Sequence, residues 1–243
     1  MAPSPPTVTP LTARAHAFVD DLVRPRLSVG DHHHLTRVLR LSPGDAVTVG
    51  DGAGRWRAAR VGTGPDLADL GEIRADARVE PPLTVAFALV KGERPELTVQ
   101  KLTELGIDRI VPFEAARSVV RWDDAKAARQ ERRLTTIARE AAMQCRRTWL
   151  PDVARVATFA DVARLPGAVR AELDGDPPSL RHPTVLVGPE GGWTPEEAAA
   201  VAPRVRIAAH VLRAETAAIT VGALLGAIRG ALVAEGVRSD HDV

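Results

Sequence analysis

Thr184-Val185-Leu186-Val187-Gly188-Pro189-Glu190-Gly191-Gly192-Trp193-Thr194-Pro195-Glu196-Glu197 sets three glycines between an apolar run and the start of a helix. Thr184 to Val187 reads as a buried strand. Thr194 is placed to cap the helix, Pro195 suits its first position, and Glu197 completes a capping box. Glycine tolerates positive φ and lets a ligand approach the bare backbone. The carboxyl end of a parallel strand is where open α/β sheets bind ligands. A tight turn that merely needs glycines is the alternative. Neither G-x-G-x-x-G after a strand nor G-x-x-x-x-G-K-[ST] occurs in the chain, so the common nucleotide loops are excluded.

The same strand-then-helix grammar extends to both sides of this stretch. Leu83 to Val90 is a nearly continuous apolar run, followed by helical periodicity from about Pro95 to Leu105 that ends at Gly106. Ile110 to Phe113 reads as a strand, Asp124 to Arg147 as a long helix, Val205 to Ala208 as a strand, and Glu215 to Glu235 as the last helix. Asp174-Gly175-Asp176-Pro177-Pro178 reads as a surface loop. Apolar strands alternating with helices predict a parallel sheet covered on both faces.

Before Pro81-Pro82 the pattern differs. Ala17 to Val19, Ala46 to Val49 and Arg55 to Val61 are short strand-like runs punctuated by glycines, with one helix predicted over His32 to Leu41. That grammar predicts a small β-barrel or sandwich, with Gly50 to Gly54 as a hairpin turn. Three parts are expected: a loose tail over 1–12, with four prolines in its first ten residues, a barrel over 13–78, and an α/β domain over 79–243.

Composition sets limits on function. The chain has 243 residues, a net charge of +1 and 45% hydrophobic content, which describes an ordinary globular protein whose basic surface must be local. A single cysteine, Cys145, excludes an intramolecular disulfide framework and a multi-cysteine zinc site, and fits a cytoplasmic location. The most apolar stretch, Thr216 to Ile228, has 13 residues, fewer than the roughly 20 that span a bilayer, so no membrane partner is expected. No metal is expected either: neighbours in the triple His32-His33-His34 point about 100° apart on a helix, and no second ligand cluster accompanies them.

Basic residues do concentrate locally. Between Arg117 and Arg147 nine lysines and arginines face four acids, and the first 60 residues hold eight against five. Leu134, Ile137, Ala138, Ala141 and Cys145 share one helical face, which leaves arginines outward to meet phosphates or simply solvent. Arg213, Glu215 and Thr216 open the last helix, whose amino end can hold an anion or orient a polar ligand. Within that helix Gly222, Gly226 and Gly230 form a stripe expected to seat another backbone, either a partner helix or a dimer seam. Trp56 is a stacking surface or a core residue.

These segments together resemble the RsmE family, the 16S ribosomal RNA uracil-N3-methyltransferases of the SPOUT superfamily. The matching pieces are His34-Leu35-Thr36-Arg37-Val38-Leu39-Arg40 with Pro43-Gly44-Asp45, Lys91-Gly92-Glu93, Gln100 to Gly106, Gln144-Cys145 with Arg147, the Gly188 to Gly192 turn, and Val211-Leu212-Arg213 with Glu215-Thr216-Ala217. They stand in family order over nearly the whole chain. The chain departs from the family pattern at Met143, Ala208, His210 and Ala214.

The resemblance implies an N-terminal PUA-like RNA-binding barrel, a C-terminal α/β domain with a deep trefoil knot, and a homodimer. It implies S-adenosylmethionine as cofactor, held by Gly188, Pro189, Glu190, Gly191, Gly192, Ile207, Leu212 and Arg213. The expected partner is 16S ribosomal RNA or the assembled small subunit, with Arg14, Arg37, Arg40, Lys91, Arg117 and Arg147 on the RNA. Uracil N3 carries an imide proton that must leave before methylation. Arg213 is expected to stabilise the charge left on O2 and O4, and Glu215 or Glu190 to take the proton or orient the base. A non-catalytic RNA-binding factor, or a methyltransferase acting on another RNA position or on ribose, would share many of these features.

Overall fold

The protein is described by a computed structural model covering residues 8–92 and 94–235. Most of the expected tail, residues 1–7, and Glu93 of the Lys91-Gly92-Glu93 motif lie outside the described residues. The remainder of the tail turns back at once, with the Thr12 and Ala13 amides donating to the Thr9 carbonyl, and Ala13 is already buried. The chain falls into two compact units, one of residues up to Arg78 together with Ala142–Leu150, the other of Val79–Ala141 and Pro151 onward.

In the first unit β1 (Ala15–Phe18) is followed by a short helix α1 (Val29–His33), which passes into one π-helical turn, His34–Val38. Ser28 caps α1 by accepting from the Asp31 amide at 3.0 Å. Strands β2 (Ala46–Gly50), β3 (Arg55–Val61), β4 (Leu67–Ala68) and β5 (Arg74–Ala75) complete a five-stranded mixed sheet, β1 parallel to β2 and the rest antiparallel. The hairpin between β2 and β3 is closed by Asp51, whose carboxylate accepts from the Ala53 and Arg55 amides. Residues 142–150 join this unit for physical reasons. Arg146 donates to the carbonyls of Pro10, Ala13 and Arg14, Trp149 donates to the Asp76 carbonyl, and Leu150 fills the space over Gly52. Trp56 is a core residue: it is buried, and its indole N–H donates to Asp76 at 3.0 Å.

His16 is buried in this unit with Nδ1 2.9 Å from the Thr48 hydroxyl and Nε2 without a partner. Burial first, and the Arg146 charge second, push its imidazole down from 6.5 to about 4. Between those values the unfolded chain binds a proton that the folded chain refuses, so stability falls as pH drops. Urea unfolding should therefore show a loss of about 2 kcal/mol between pH 7 and pH 5 that disappears in His16→Gln. Equal pH dependence in the variant would contradict this reading.

In the second unit the chain runs β6 (Thr84–Ala88), α2 (Arg94–Glu104), β7 (Arg109–Glu114), α3 (Asp124–Gln144), β8 (Asp152–Val153), β9 (Ala157–Thr158), α4 (Phe159–Ala163), β10 (Ala168–Asp176), β11 (Thr184–Val187), α5 (Pro195–Ala200), β12 (Arg204–Val205) and α6 (Ala214–Arg229). The sheet is parallel, in the order β12-β10-β11-β6-β7-β8 with β9 also on β7. Its central strands β6 and β11 are buried along their length, as expected of strands covered on both faces. One face packs Val85, Phe87, Val185 and Val187 against Val99, Leu102, Leu134, Val221 and Leu225, while the other packs Ala86, Ala88 and Leu186 with Phe113 and Val162.

Four expectations about elements are corrected. The strand expected over Val205 to Ala208 is only Arg204–Val205, which leaves Ile207 and Ala208 in the loop before α6. Residues 174–176 are not loop but the end of β10, because Gly175 lets the Val205 backbone approach where any Cβ would overlap it. Helix α3 stops at Gln144 rather than Arg147. Arg146 takes a left-handed conformation, φ 65°, and the Arg147 amide returns to the Ala142 carbonyl. Helix α6 ends at Arg229, before Glu235.

The glycine stripe is used within the chain. A Cβ on Gly222 would come within 2.7 Å of Leu102, and one on Gly226 within 2.6 Å of the Leu105 carbonyl, so α2 occupies the groove that these glycines open. Among the described residues no helix is long and apolar enough to cross a membrane.

Candidate functional site

The turn that follows β11 is fixed from both sides. Downstream, Thr194 caps α5 with its hydroxyl accepting from the Glu197 amide at 3.2 Å, and Glu197 returns a bond to the Thr194 amide at 3.0 Å. Glu197 is buried and its other oxygen accepts from the Ala116 amide, which ties the turn to the loop after β7. Trp193 stacks on Phe113 with ring centroids 6.2 Å apart, and the Arg170 guanidinium lies 5.9 Å from the Trp193 ring. Gly188 has no room for a side chain, since a Cβ would sit 2.7 Å from the Trp193 ring, and Gly192 adopts φ 71°.

Across from the turn lies the loop that leads into α6. Arg213 stands at the N-cap of that helix with extended backbone, and no side chain caps the helix. Its first amides are thus left for solvent or a ligand. Between turn and loop lies a cleft of about 460 Å³. Three segments line it: Ala171 to Leu173 of β10, Val187 to Glu190 with Gly192 and Trp193, and Ile207 to Ala217 in part. A volume in this range is typical of a small-molecule or cofactor site.

The cleft brings together Gly188, Pro189, Glu190, Gly192, Ile207, Leu212 and Arg213. Gly191 is not among its lining residues; it is exposed, and its carbonyl accepts from Arg117 at 3.1 Å. Three positions where the chain departs from the resemblance, Ala208, His210 and Ala214, are in the cleft wall, whereas Met143 is buried in the first unit's core.

The two acids at this site differ in surroundings. Glu190 lines the cleft with its side chain 62% exposed, and its Oε1 lies 3.2 Å from Arg94. Glu215 is not a lining residue. Its side chain is 12% exposed, Oε1 is 3.5 Å from Arg94 Nε, and Oε2 is buried without a hydrogen-bond partner. Arg213 is exposed and makes no ion pair with a described residue.

The residues expected on RNA divide between the units. Arg14, Arg37 and Arg40 are exposed in the first unit, Arg14 paired with Asp45 at 2.8 Å, and half-buried Arg147 belongs to the same unit. Lys91 and Arg117 are exposed in the second, where Lys91 lines another cavity of about 320 Å³ with Trp122 and Lys126. Sequence reasoning passed over two contributors to the cleft wall and one residue bonded to it. Ala171 to Leu173 were hidden by the charges that alternate along β10, Trp193 looked like a mere turn residue, and Arg94 has partners far away in the chain. Among the described residues no group of three or more His, Cys, Asp or Glu could hold a metal ion.

Known proteins of the same shape and sequence pattern give this geometry its context. The model of an RNA methyltransferase domain matches residues 78–226, and that of an RNA methyltransferase PUA domain matches residues 27–71. The chain is 35% identical over 218 residues to ribosomal RNA small subunit methyltransferase E of Mycobacterium bovis, covering 79% of this chain and 82% of that one. To the protein of that name in Synechocystis it is 33% identical over 223 residues, covering 83% and 72%. Among solved structures, ribosomal RNA small subunit methyltransferase E from Neisseria gonorrhoeae bound to S-adenosyl methionine superposes with a TM-score of 0.72 at 24% identity, covering 89% of this chain and 97% of that one. A protein from Legionella pneumophila solved with the cofactor SAM gives a TM-score of 0.74 at 25% identity, covering 87% and 96%. The fold is therefore a PUA-like domain followed by a SPOUT-type α/β-knot domain.

Proposed function

The chain belongs to the ribosomal RNA small subunit methyltransferase E family, and from that premise we propose that it transfers a methyl group from S-adenosylmethionine to N3 of a uridine in 16S ribosomal RNA. The observation that carries this reading is the cleft itself. A glycine turn, in which Gly188 has no room for a side chain and Gly192 adopts a positive φ, faces an uncapped helix start across a volume suited to one cofactor. We propose residues 13–78 as the part that grips RNA and 79–243 as the catalytic part, acting as a homodimer.

The cofactor, when bound, supplies an electrophilic methyl carbon on a sulfonium. Gly188, Pro189, Gly192, Ile207 and Leu212 hold it through backbone groups and apolar contact, excluding water from the reacting centre. Arg213 directs its guanidinium at the charge that develops on the uracil oxygens. Of the two acids, Glu190 is the proton acceptor, because it lines the cleft and is open to a substrate, whereas the unpartnered oxygen of Glu215 is closed off. Glu215 acts instead through Arg94.

The target uridine must stand outside its stack for its N3 edge to be reached. Arg14, Arg37, Arg40, Lys91, Arg117 and Arg147 hold the surrounding phosphates. Calorimetry with S-adenosylmethionine, followed by incubation with undermethylated small subunits and mass analysis, tests the proposal. Micromolar cofactor binding with one 3-methyluridine gained per subunit is expected. Absence of cofactor binding would leave only an RNA-binding factor.

A further inference from the structure

Arg94 is the first residue of α2, and its guanidinium meets two carboxylates delivered by two other segments. One is Glu190 of the glycine turn, with Oε1 3.2 Å from an Arg94 amino nitrogen. The other is Glu215 in the first turn of α6, with Oε1 3.5 Å from Arg94 Nε. The two acids are held unequally. Glu215 is nearly enclosed with Oε1 beside Arg94, so its place in the first turn of α6 fixes the guanidinium next to it. Glu190 is exposed, and a free glutamate there would sample many rotamers. Arg94 therefore passes rigidity from a buried acid to an exposed one.

A guanidinium carries five N–H donors, and these two contacts leave others of Arg94 unspent. Glu190 and Arg213 both line the cleft, and Arg94, which is not a lining residue, is bonded to Glu190, so the carboxylate acceptor of the cleft has one guanidinium bonded to it and a second in the same cleft wall. The imide edge of uracil presents the complement: the O4 acceptor, the N3–H donor and the O2 acceptor. Cytosine presents an amino group and a bare N3 instead. Its N3 would face the Glu190 carboxylate with no proton between them, and its amino group would face a guanidinium, leaving polar groups unpaired.

We infer that Arg94 is a uracil-recognition residue, donating to one carbonyl oxygen of the target base while it holds Glu190 against the N3 proton. The inference rests on the proposed N3 chemistry. In the proton step the N3–H bond breaks, the proton goes to the Glu190 carboxylate, and the electron pair stays on the imide, spread over O2 and O4. Arg94 and Arg213 stabilise that charge from its two ends.

The test compares Arg94→Ala and Arg94→Lys with wild type on small subunits carrying uridine or 5-fluorouridine, whose N3–H is more acidic. Wild type is assayed first, and its failure to form 3-methyluridine sinks the N3 reading itself. If wild type succeeds, Arg94→Ala should turn over about a hundredfold more slowly, the cost of one donor to a developing oxyanion. Arg94→Lys should fall between, since it keeps the charge and loses the fork. Cofactor affinity by calorimetry should match wild type, while the melting temperature of Arg94→Ala should fall, because nearly enclosed Glu215 loses the cation beside it. On 5-fluorouridine the Arg94→Ala deficit should shrink to below about tenfold, because deprotonation then needs less help. Undiminished turnover in Arg94→Ala, a deficit equal on both substrates, or a deficit that tracks lost cofactor affinity each overturns the inference.

Discussion

Arg213→Ala should lower the rate of methyl transfer by about 10²- to 10³-fold, the loss that follows removal of one preorganised donor to a developing oxyanion. Cofactor affinity should fall by less than about tenfold. The two effects separate because, in the binding mode proposed, the ligand is held through the backbone of the glycine turn and of the loop before α6, both of which line the cleft and which alanine preserves. Arg213 adopts extended backbone at the helix N-cap and its side chain makes no cap bond, so the helix start survives the substitution. Nor should stability change much, since the side chain is exposed. Single-turnover methylation alongside calorimetry measures both quantities. Wild-type methylation with normal cofactor binding would falsify the role given to Arg213.

The largest effect on stability is expected at the opposite end of the same helix. Arg229 and Asp108 are each about one-tenth exposed and form an ion pair. Arg229 also donates to the Gly106 carbonyl at 2.6 Å and to that of Pro81 at 3.3 Å. Asp108 in turn accepts from the Leu83 amide at 2.9 Å, so the pair joins α6 to the segments that enter β6 and β7. Its cation also sits in the last turn of α6, where the helix dipole favours positive charge. Removing one partner of a buried pair leaves an uncompensated charge and costs about 3–5 kcal/mol. Arg229→Met, which keeps most of the stem, should lose that much in urea unfolding. A loss below about 1 kcal/mol would mean that the pair is solvated rather than structural.

What could be read in the sequence was what is encoded locally. The turn after β11 announces itself because strand, glycines, cap and capping box fall within fourteen consecutive residues, and each is stabilised by its neighbours. The apolar runs of β6 and β7 are legible for the same reason. Illegible were features whose cause lies elsewhere in the chain. Asp174-Gly175-Asp176 carries every mark of a loop, yet Gly175 is there to admit the backbone of Val205 thirty residues later. The stripe of glycines in α6 announced a close neighbour without saying which, and α2 turned out to be that neighbour. Arg94 looked like one charge among many until the fold brought Glu190 and Glu215 to it. Knots break the ordinary rules of chain connection, so periodicity carries no trace of them. Only the resemblance pointed there.

The reaction proposed for this cleft is methylation of N3 of a uridine in small-subunit RNA. Mass mapping of 16S RNA from a strain in which the corresponding gene is deleted tests it most directly. One 3-methyluridine should disappear, all other methylated nucleotides should remain, and the wild-type gene should restore the missing one where the Arg213→Ala gene does not. A full complement of 3-methyluridine in the deletion strain, or loss of a methyl group from ribose or another base position, would contradict it.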